Sequence, residues 1–313
     1  MTTHVTNILV PVDFSDASRK AMHSAALLAL KFGAKLTAAH IVPSFGAFNY
    51  SFPGDTFEFE KQVFAEARKQ LPEEIPSAYR DQLKTQVIVK AGDIRDELLG
   101  IVNDENIDLV VMGTHGRRNF QRFFLGSTTE GMLRHLPVPV LTVSTRGSEK
   151  QTESPFEVPF RRILYATDLS ETTAAGLHYC ADLAHVLGAH LTLLHVMDLH
   201  DAVTFESEAD IHARLMGRMH KTVGKERCDG LQIATEVING VPHREILRFA
   251  EKTNADLIVI NLQSKGLLER ALLGSTAERV IRSSPIPVLC IPGPTITGTR
   301  RAIEAEMATF HHQ

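Results

Sequence analysis

The sequence predicts a duplicated α/β fold, two tandem doubly wound parallel sheets of five strands each, and three observations predict it. Short unbroken apolar runs such as NILVPV (Asn7 to Val12) and LVVM (Leu109 to Met112) read as parallel strands buried on both faces. Between them lie segments whose apolar residues recur at helical spacing, the alternation that builds right-handed crossovers on a parallel sheet. The whole pattern then repeats, RRILYATDLS answering TNILVPVDFS and ALLGSTAERVIRSSPIPVLC answering RFFLGSTTEGMLRHLPVPVL.

In chain order, the first strand ends at Asp13, and Ser15 stands as the N-cap of a helix that stops at Gly33. Within it Ala21, Met22, Ala25, Ala26, Leu28 and Ala29 form a small-residue face suited to a sheet. KLTAAHIV (Lys35 to Val42) reads as the second strand. A loop rich in aromatics follows (Phe45, Phe48, Tyr50, Phe52, Phe57, Phe59), either a lid over a ligand or a cover for the sheet or a partner surface. A charged helical segment around Glu60 to Gln70 leads to a third strand (Thr85 to Lys90), a helix (Asp93 to Asn103), a fourth strand (Asp108 to Met112) and a fifth (Val138 to Val143).

The polar stretch STRGSEKQTESPFEVPF, with Pro155 and Pro159, reads as a linker. Domain one then spans 1–146, the linker 147–160, domain two 161–294 and a tail 295–313. In the second copy Ile163 answers Ile8, Asp168 answers Asp13, Ser170 answers Ser15 and His195 answers His40. The spacing shortens in the middle of the repeat, where the first copy carries its longer aromatic loop.

The stretch Leu109 to Glu130, LVVMGTHGRRNFQRFFLGSTTE, carries the chemistry. A buried strand feeds a turn with Gly113 and Gly116, and after nine intervening residues come Gly126, Ser127, Thr128 and Thr129. Ser127-x-x-Glu130 ahead of Met132, Leu133 and Leu136 has the spacing of a capping box, which starts a helix at Ser127. Amides at a helix start lack intrahelical partners and carry the positive end of the dipole, and glycines let backbone approach a ligand closely, a combination that suits phosphate oxygens. If the strand order is the flavodoxin-like 3-2-1-4-5, strands one and four are neighbours whose connections leave in opposite directions, and Asp13 and Gly113 fall together at the crevice between their carboxyl ends.

With Gly-x-x-Gly, nine residues and Gly-Ser between a buried strand and a helix, the chain resembles the universal stress protein family, over roughly Thr6 to Ser144 and Arg161 to Pro292. The resemblance implies the 3-2-1-4-5 sheet of the adenine nucleotide alpha hydrolase-like fold, and binding of ATP with Mg²⁺ as a cytoplasmic, nucleotide-responsive stress regulator. By position it implies that Pro11, Val12 and Asp13 line the nucleoside side and that Ile41 contacts adenine. Gly113, His115, Gly116 and Arg117 would follow the loop, and Gly126, Ser127 and Thr128 would take the phosphates. Asp13 would stand near the Mg²⁺, a hard cation that keeps waters and prefers oxygen; the competing account of Asp13 is a capping carboxylate, and of His115 an exposed loop residue. Family domains pair through their last strands, which implies a homodimer or an intramolecular pseudo-dimer of the two halves.

The two copies differ where it matters. Asn261 stands where the first copy has Gly113, and Ser264 where it has Gly116, while Gly274, Ser275 and Thr276 keep the helix start. The first copy is therefore expected to be the nucleotide site. The second is expected to be weakened, altered in ligand or structural, with Gly274, Ser275 and Thr276 as a second phosphate position.

Composition narrows the alternatives. A formal charge of −4 and a pI near 6.4 leave no basic footprint, so nucleic acid is not expected as a partner. Cys180, Cys228 and Cys290 are not the even framework of a stapled secreted domain, and no run approaches a membrane span, so a cytoplasmic protein with no membrane partner is expected. Fifteen histidines bring a metal site to mind, but no HExxH or Cys-x-x-Cys occurs, and His178 and His185 lie two helical turns apart. Neither a Walker-type loop nor a nucleophile elbow is present, which leaves at most a slow ATP hydrolase using Asp13, Mg²⁺ and His115. The remaining rival is a nucleotide-independent interaction protein.

Overall fold

The structure, a computed structural model, describes residues 5–43, 56–114, 125–144, 160–170, 172–198, 207–225, 231, 233–262 and 273–293, with the side chains of 56–60 and 225 outside that set. The aromatic segment 44–55, most of the linker and the tail lie outside the described residues. The first half runs β1 (Asn7–Pro11), α1 (Asp16–Phe32), β2 (Lys35–Pro43), α2 (Thr56–Gln70), a 3-10 turn (Leu71–Glu74), α3 (Ser77–Arg80), β3 (Lys84–Gly92), α4 (Ile94–Asp104), β4 (Leu109–Gly113), α5 (Ser127–His135) and β5 (Val140–Val143). The second runs β6 (Arg162–Thr167), α6 (Thr173–Leu187), β7 (His190–Met197), α7 (Glu208–Lys225), β8 (Ile233–Asn239), α8 (Pro242–Lys252), β9 (Leu257–Asn261), α9 (Ser275–Ser283) and β10 (Val288–Ile291).

Ten strands form one sheet in the order β3-β2-β1-β4-β5-β10-β9-β6-β7-β8. Each half is parallel and has the order 3-2-1-4-5. The halves meet edge to edge where β10 pairs antiparallel with β5, Val288 opposite Thr142, Leu289 opposite Leu141 and Cys290 opposite Val140. The buried Thr142 hydroxyl adds a bond across the seam, donating to the Val288 carbonyl at 3.0 Å. Of the two pairing modes the sequence left open, the intramolecular one is present. It removes two apolar strand edges from solvent, where unpaired amides would otherwise template association.

One face of the sheet is covered by α1 and α6, the other by α4, α5, α8 and α9, and each face has an apolar core that runs through both halves. Leu28, Phe32, Tyr179 and Leu183 close the α1/α6 side of the seam together with Val5 and Phe160. Local signals set the helix limits. Ser15 caps α1, its hydroxyl accepting the Ser18 amide, and Gly33 ends it in the left-handed region at φ 66°, a conformation without a Cβ penalty. Gly188 ends α6 in the same way at φ 68°.

The capping box at Ser127 is not formed. Gly126 is the N-cap, with no side-chain hydrogen bond, and Ser127 is the first helical residue. Glu130 instead pairs with Arg134 at 2.9 Å, one turn on, as Glu278 pairs with Arg282 in α9. Cys180 and Cys290 are buried free thiols, and burial pushes both above the usual thiol range. Among the described residues no group of three His, Cys, Asp or Glu side chains is placed to hold a metal, and His178 lies 3.6 Å from Asp182. No helix among them is long and apolar enough to cross a membrane.

Leu289 and Leu141 face each other across the seam at 2% and 1% exposure. Truncation of either to alanine should cost about 2–5 kcal/mol of stability, measured by urea unfolding. The double variant should lose less than the sum, since both substitutions empty the same contact.

Candidate functional site

Parallel pairing of β1 with β4, Ile8 opposite Leu109 and Leu9 opposite Val110, sets their carboxyl ends side by side. The connection after β1 enters α1 on one face and that after β4 enters α5 on the other, so a crevice opens between them. Pro11 closes β1. Val12, 4% exposed, donates its amide to the Ala39 carbonyl at 2.7 Å, and its own carbonyl receives Nδ1 of His40 at 2.6 Å. A side chain thus satisfies the first carbonyl beyond the strand.

Asp13 Oδ1 accepts the Ser15 amide at 3.1 Å and the Ser15 hydroxyl at 2.6 Å, which holds the tip of the βα turn as a side-chain capped turn. Asp13 thereby closes the turn ahead of the helix, whose cap is Ser15. Phe14 follows in the left-handed region at φ 62°, a conformation costing of order 1 kcal/mol for a bulky residue, and its ring lies 4.7 Å from that of His40. The side chain of Ile41 is 7% exposed and packs in the core beneath α4. Since the Ala39 carbonyl faces β1 and alternate residues of a strand present their backbone groups to the same side, the Ile41 backbone edge points past the end of β1 into the crevice.

On the β4 side, Thr114 donates its amide to the Val143 carbonyl at 3.0 Å and accepts the Gly126 amide at 2.9 Å. Residues 115–124, and with them His115, Gly116 and Arg117, lie outside the described residues, but the chain leaves and returns at this one hydrogen-bonded point. The buried Thr129 hydroxyl donates to the Gly113 carbonyl at 2.8 Å and pins the first turn of α5 to the strand tip. Gly126 enters the helix at φ −60° and ψ 139°, and with no cap side chain the amides of Ser127 and Thr128 stand at the positive end of a nine-residue helix.

Gly113 proves to be a packing residue. A Cβ there would fall 2.6 Å from the Ala17 Cβ and 2.8 Å from the Ala17 carbonyl carbon, so its missing side chain lets α1 lie against the tip of β4. That packing role stands beside the ligand approach expected of Gly113, and Ala17, Thr114, Thr129 and His40 join the site in roles that the residue pattern did not assign to them. Thr129 had a legible signal: it shares a helical face with Met132, Leu133 and Leu136, a polar residue on a buried stripe.

The second copy repeats the scaffold. Asp168 Oδ1 accepts the Ser170 amide at 2.9 Å, Leu169 is left-handed at φ 55°, and His195 Nδ1 donates to the Thr167 carbonyl at 2.9 Å. Burial holds the His195 imidazole below its ordinary value, opposed by that bond and supported by the Arg218 charge. Gly274 is again an N-cap without a side-chain bond, ahead of Ser275 and Thr276. The strand tip differs: Leu262 replaces Thr114, Ala277 replaces Thr129, and the Asn261 side chain turns toward α6.

The description "universal stress protein family" belongs to the family model that matches residues 4–144 and 159–292. Universal stress protein MJ0531 of Methanocaldococcus jannaschii is 34% identical over 144 residues, 43% of this chain and 84% of that protein. A crystal structure of a universal stress protein from Archaeoglobus fulgidus superposes with a TM-score of 0.69 at 25% identity, covering 92% of this chain and 98% of its own. A functionally unknown protein from Pseudomonas aeruginosa shares the fold at a TM-score of 0.61 and 16% identity, covering 97% and 99%.

Two outcomes follow from the packing at β4 and from the buried imidazole. Thr129→Val should lower stability by about 1 kcal/mol in urea unfolding, the worth of one buried hydrogen bond, and Gly113→Val should cost more, about 1–3 kcal/mol of overpacking. Because burial lowers the His195 pKa in the folded state, its contribution is present above the ordinary imidazole range and lost as pH falls through that range toward the lowered folded value. Unfolding midpoints compared between pH 7.5 and about pH 5 should show this fall, and His195→Gln should flatten it.

Proposed function

We propose that this chain, which belongs to the universal stress protein family, binds ATP with Mg²⁺ in its first half and acts in the cytoplasm as a nucleotide-responsive stress regulator. The observation that carries the reading is the closure of Thr114 on Gly126 at 2.9 Å. It sets an uncapped helix start beside the tip of β4 and across the crevice from the Asp13 turn. Phosphate oxygens take the amides of Ser127 and Thr128 there, next to Gly126, whose own amide is held by the Thr114 carbonyl, with the helix dipole favouring their charge. Gly113 shapes the strand tip, and His115, Gly116 and Arg117 complete the loop side.

The nucleoside lies toward Pro11, Val12 and Asp13. Adenine is read by the backbone edge of Ile41, which the strand alternation turns toward the crevice, rather than by its buried side chain. The carboxylate of Asp13 faces the metal through its waters, as suits a hard cation that dehydrates reluctantly. Bound Mg-ATP supplies compact negative charge that the protein meets with backbone dipoles. Affinity of this kind couples binding to the positions of α1 and α5, which enter from opposite faces.

Isothermal titration of protein freed of co-purified ligand should show saturable Mg-ATP binding, and no heat and no thermal shift at millimolar nucleotide would reject the reading. Ser127→Pro is a selective variant, because proline is accepted at a first helical position and Gly126 already has the extended ψ that precedes proline. It deletes one phosphate-facing amide while preserving the helix, and should weaken Mg-ATP by about tenfold. Asp13→Asn should weaken Mg-ATP more than metal-free ATP if the carboxylate serves the cation.

A further inference from the structure

A side chain crosses the crevice in the second copy at the place where the first copy has none. Asn261, at the tip of β9, donates from Nδ2 toward the Tyr165 hydroxyl at 2.9 Å, the Thr172 carbonyl at 3.0 Å and the Thr172 hydroxyl at 3.1 Å. Its amide therefore ties the end of β9 to the entry of α6 and to β6. The network extends inward. Tyr165, fully buried, donates its hydroxyl to the Thr173 carbonyl at 3.2 Å. The Thr167 and Thr173 hydroxyls lie 2.7 Å apart, and the Leu169 amide donates to Thr167 Oγ1 at 3.0 Å. A second strap comes from α7, where Arg218 Nη2 donates to the Leu169 carbonyl at 2.9 Å.

The first copy has Val10, Val12, Ala17 and Gly113 at the positions of Tyr165, Thr167, Thr172 and Asn261, so it has no polar side-chain atoms with which to build the bridge. Space for the bridge is made by a glycine on the opposite wall. A Cβ on Gly176 would stand 2.3 Å from the Tyr165 hydroxyl and 2.5 Å from Asn261 Oδ1, and the first copy has Ala21 there. Glycine sits on the strand and alanine on the helix in one copy, with asparagine on the strand and glycine on the helix in the other.

We infer that Asn261, housed by Gly176, locks the crevice of the second copy shut against nucleotide, so that the chain takes up a single nucleotide and the second half serves as a fixed half of the sheet. Asn261 Oδ1 is left without a partner among the described residues, but its amide donors are spent on Tyr165 and Thr172. Parting those bonds costs more than opening an apolar contact of the same size, because it strands part-buried polar groups. Nucleotide binding at the switch point needs the β6 turn and the β9 tip to admit a ligand between them, and the Asn261 amide holds those two together. The lock rests on the nucleotide reading for its consequence, but the network and its glycine stand on their own geometry.

Native mass spectrometry of the full chain with Mg-ATP should therefore show one added nucleotide, and two would overturn the lock. No added nucleotide would overturn the nucleotide reading instead, and hydrogen exchange then decides the lock without any ligand. Amides of Asp168, Leu169, Ser170 and Thr173 should exchange about tenfold faster or more in Asn261→Gly than in the unaltered chain, with the first half unchanged. Equal exchange would overturn it. A double-variant cycle tests the glycine: Gly176→Ala should destabilise the chain, and combining it with Asn261→Gly should recover part of that loss. Purely additive losses would overturn the reciprocal packing.

Discussion

No side chain fits between the tip of β4 and the first turn of α1. A Cβ on Gly113 would enter the backbone of Ala17 at 2.8 Å, and that contact sets how closely α1 can lie on the sheet. Much of the first half's switch point depends on it. With α1 seated, the Asp13 turn comes to rest beside β4, and the Gly113 carbonyl is in place for the Thr129 hydroxyl, which brings the start of α5 to the same point. The crevice is a product of this close backbone approach.

The second half meets the same constraint in the opposite way. It places a polar side chain at Asn261 and recovers the volume by removing one at Gly176. Both solutions fill the space, as close-packed interiors require, but they differ in what they leave at the crevice. The apolar contact presents backbone dipoles and no competing side-chain bonds. The polar one spends its amide donors internally, on Tyr165 and Thr172. Two copies with the same scaffold, down to left-handed Phe14 and Leu169 and the paired His40 and His195, are thus given different surfaces by a handful of residues at the strand tips.

The seam between β5 and β10 makes these differences properties of one body. Thr114 is bonded to Val143 at the end of β5, Leu262 to Ile291 at the end of β10, and β5 is paired with β10. Each candidate loop is therefore anchored to the strand that joins the halves. The antiparallel join sends the two carboxyl ends in opposite directions, so the crevices open at opposite ends of the sheet, each with its own flanking helices.

Much of this was legible in the residues. Apolar runs such as LVVM, the Ser15 and Gly33 limits of α1 and the duplication are local or pattern signals, and each reappears as a strand, a cap or a repeat. The 3-2-1-4-5 strand order put the first copy's switch point at Asp13 and Gly113, and β1 pairs with β4 there. The capping box failed because its spacing cannot tell which residue closes the preceding turn: Gly126, bonded to Thr114, takes the cap and leaves Glu130 to Arg134. Sequence by itself determined the elements, their order and the asymmetry of the two loops, since these follow from periodicity and residue type. Tertiary structure decided which strand edges meet, why Gly113 must lack a side chain and where the Asn261 amide is spent, since each depends on atoms brought together from residues far apart in the chain.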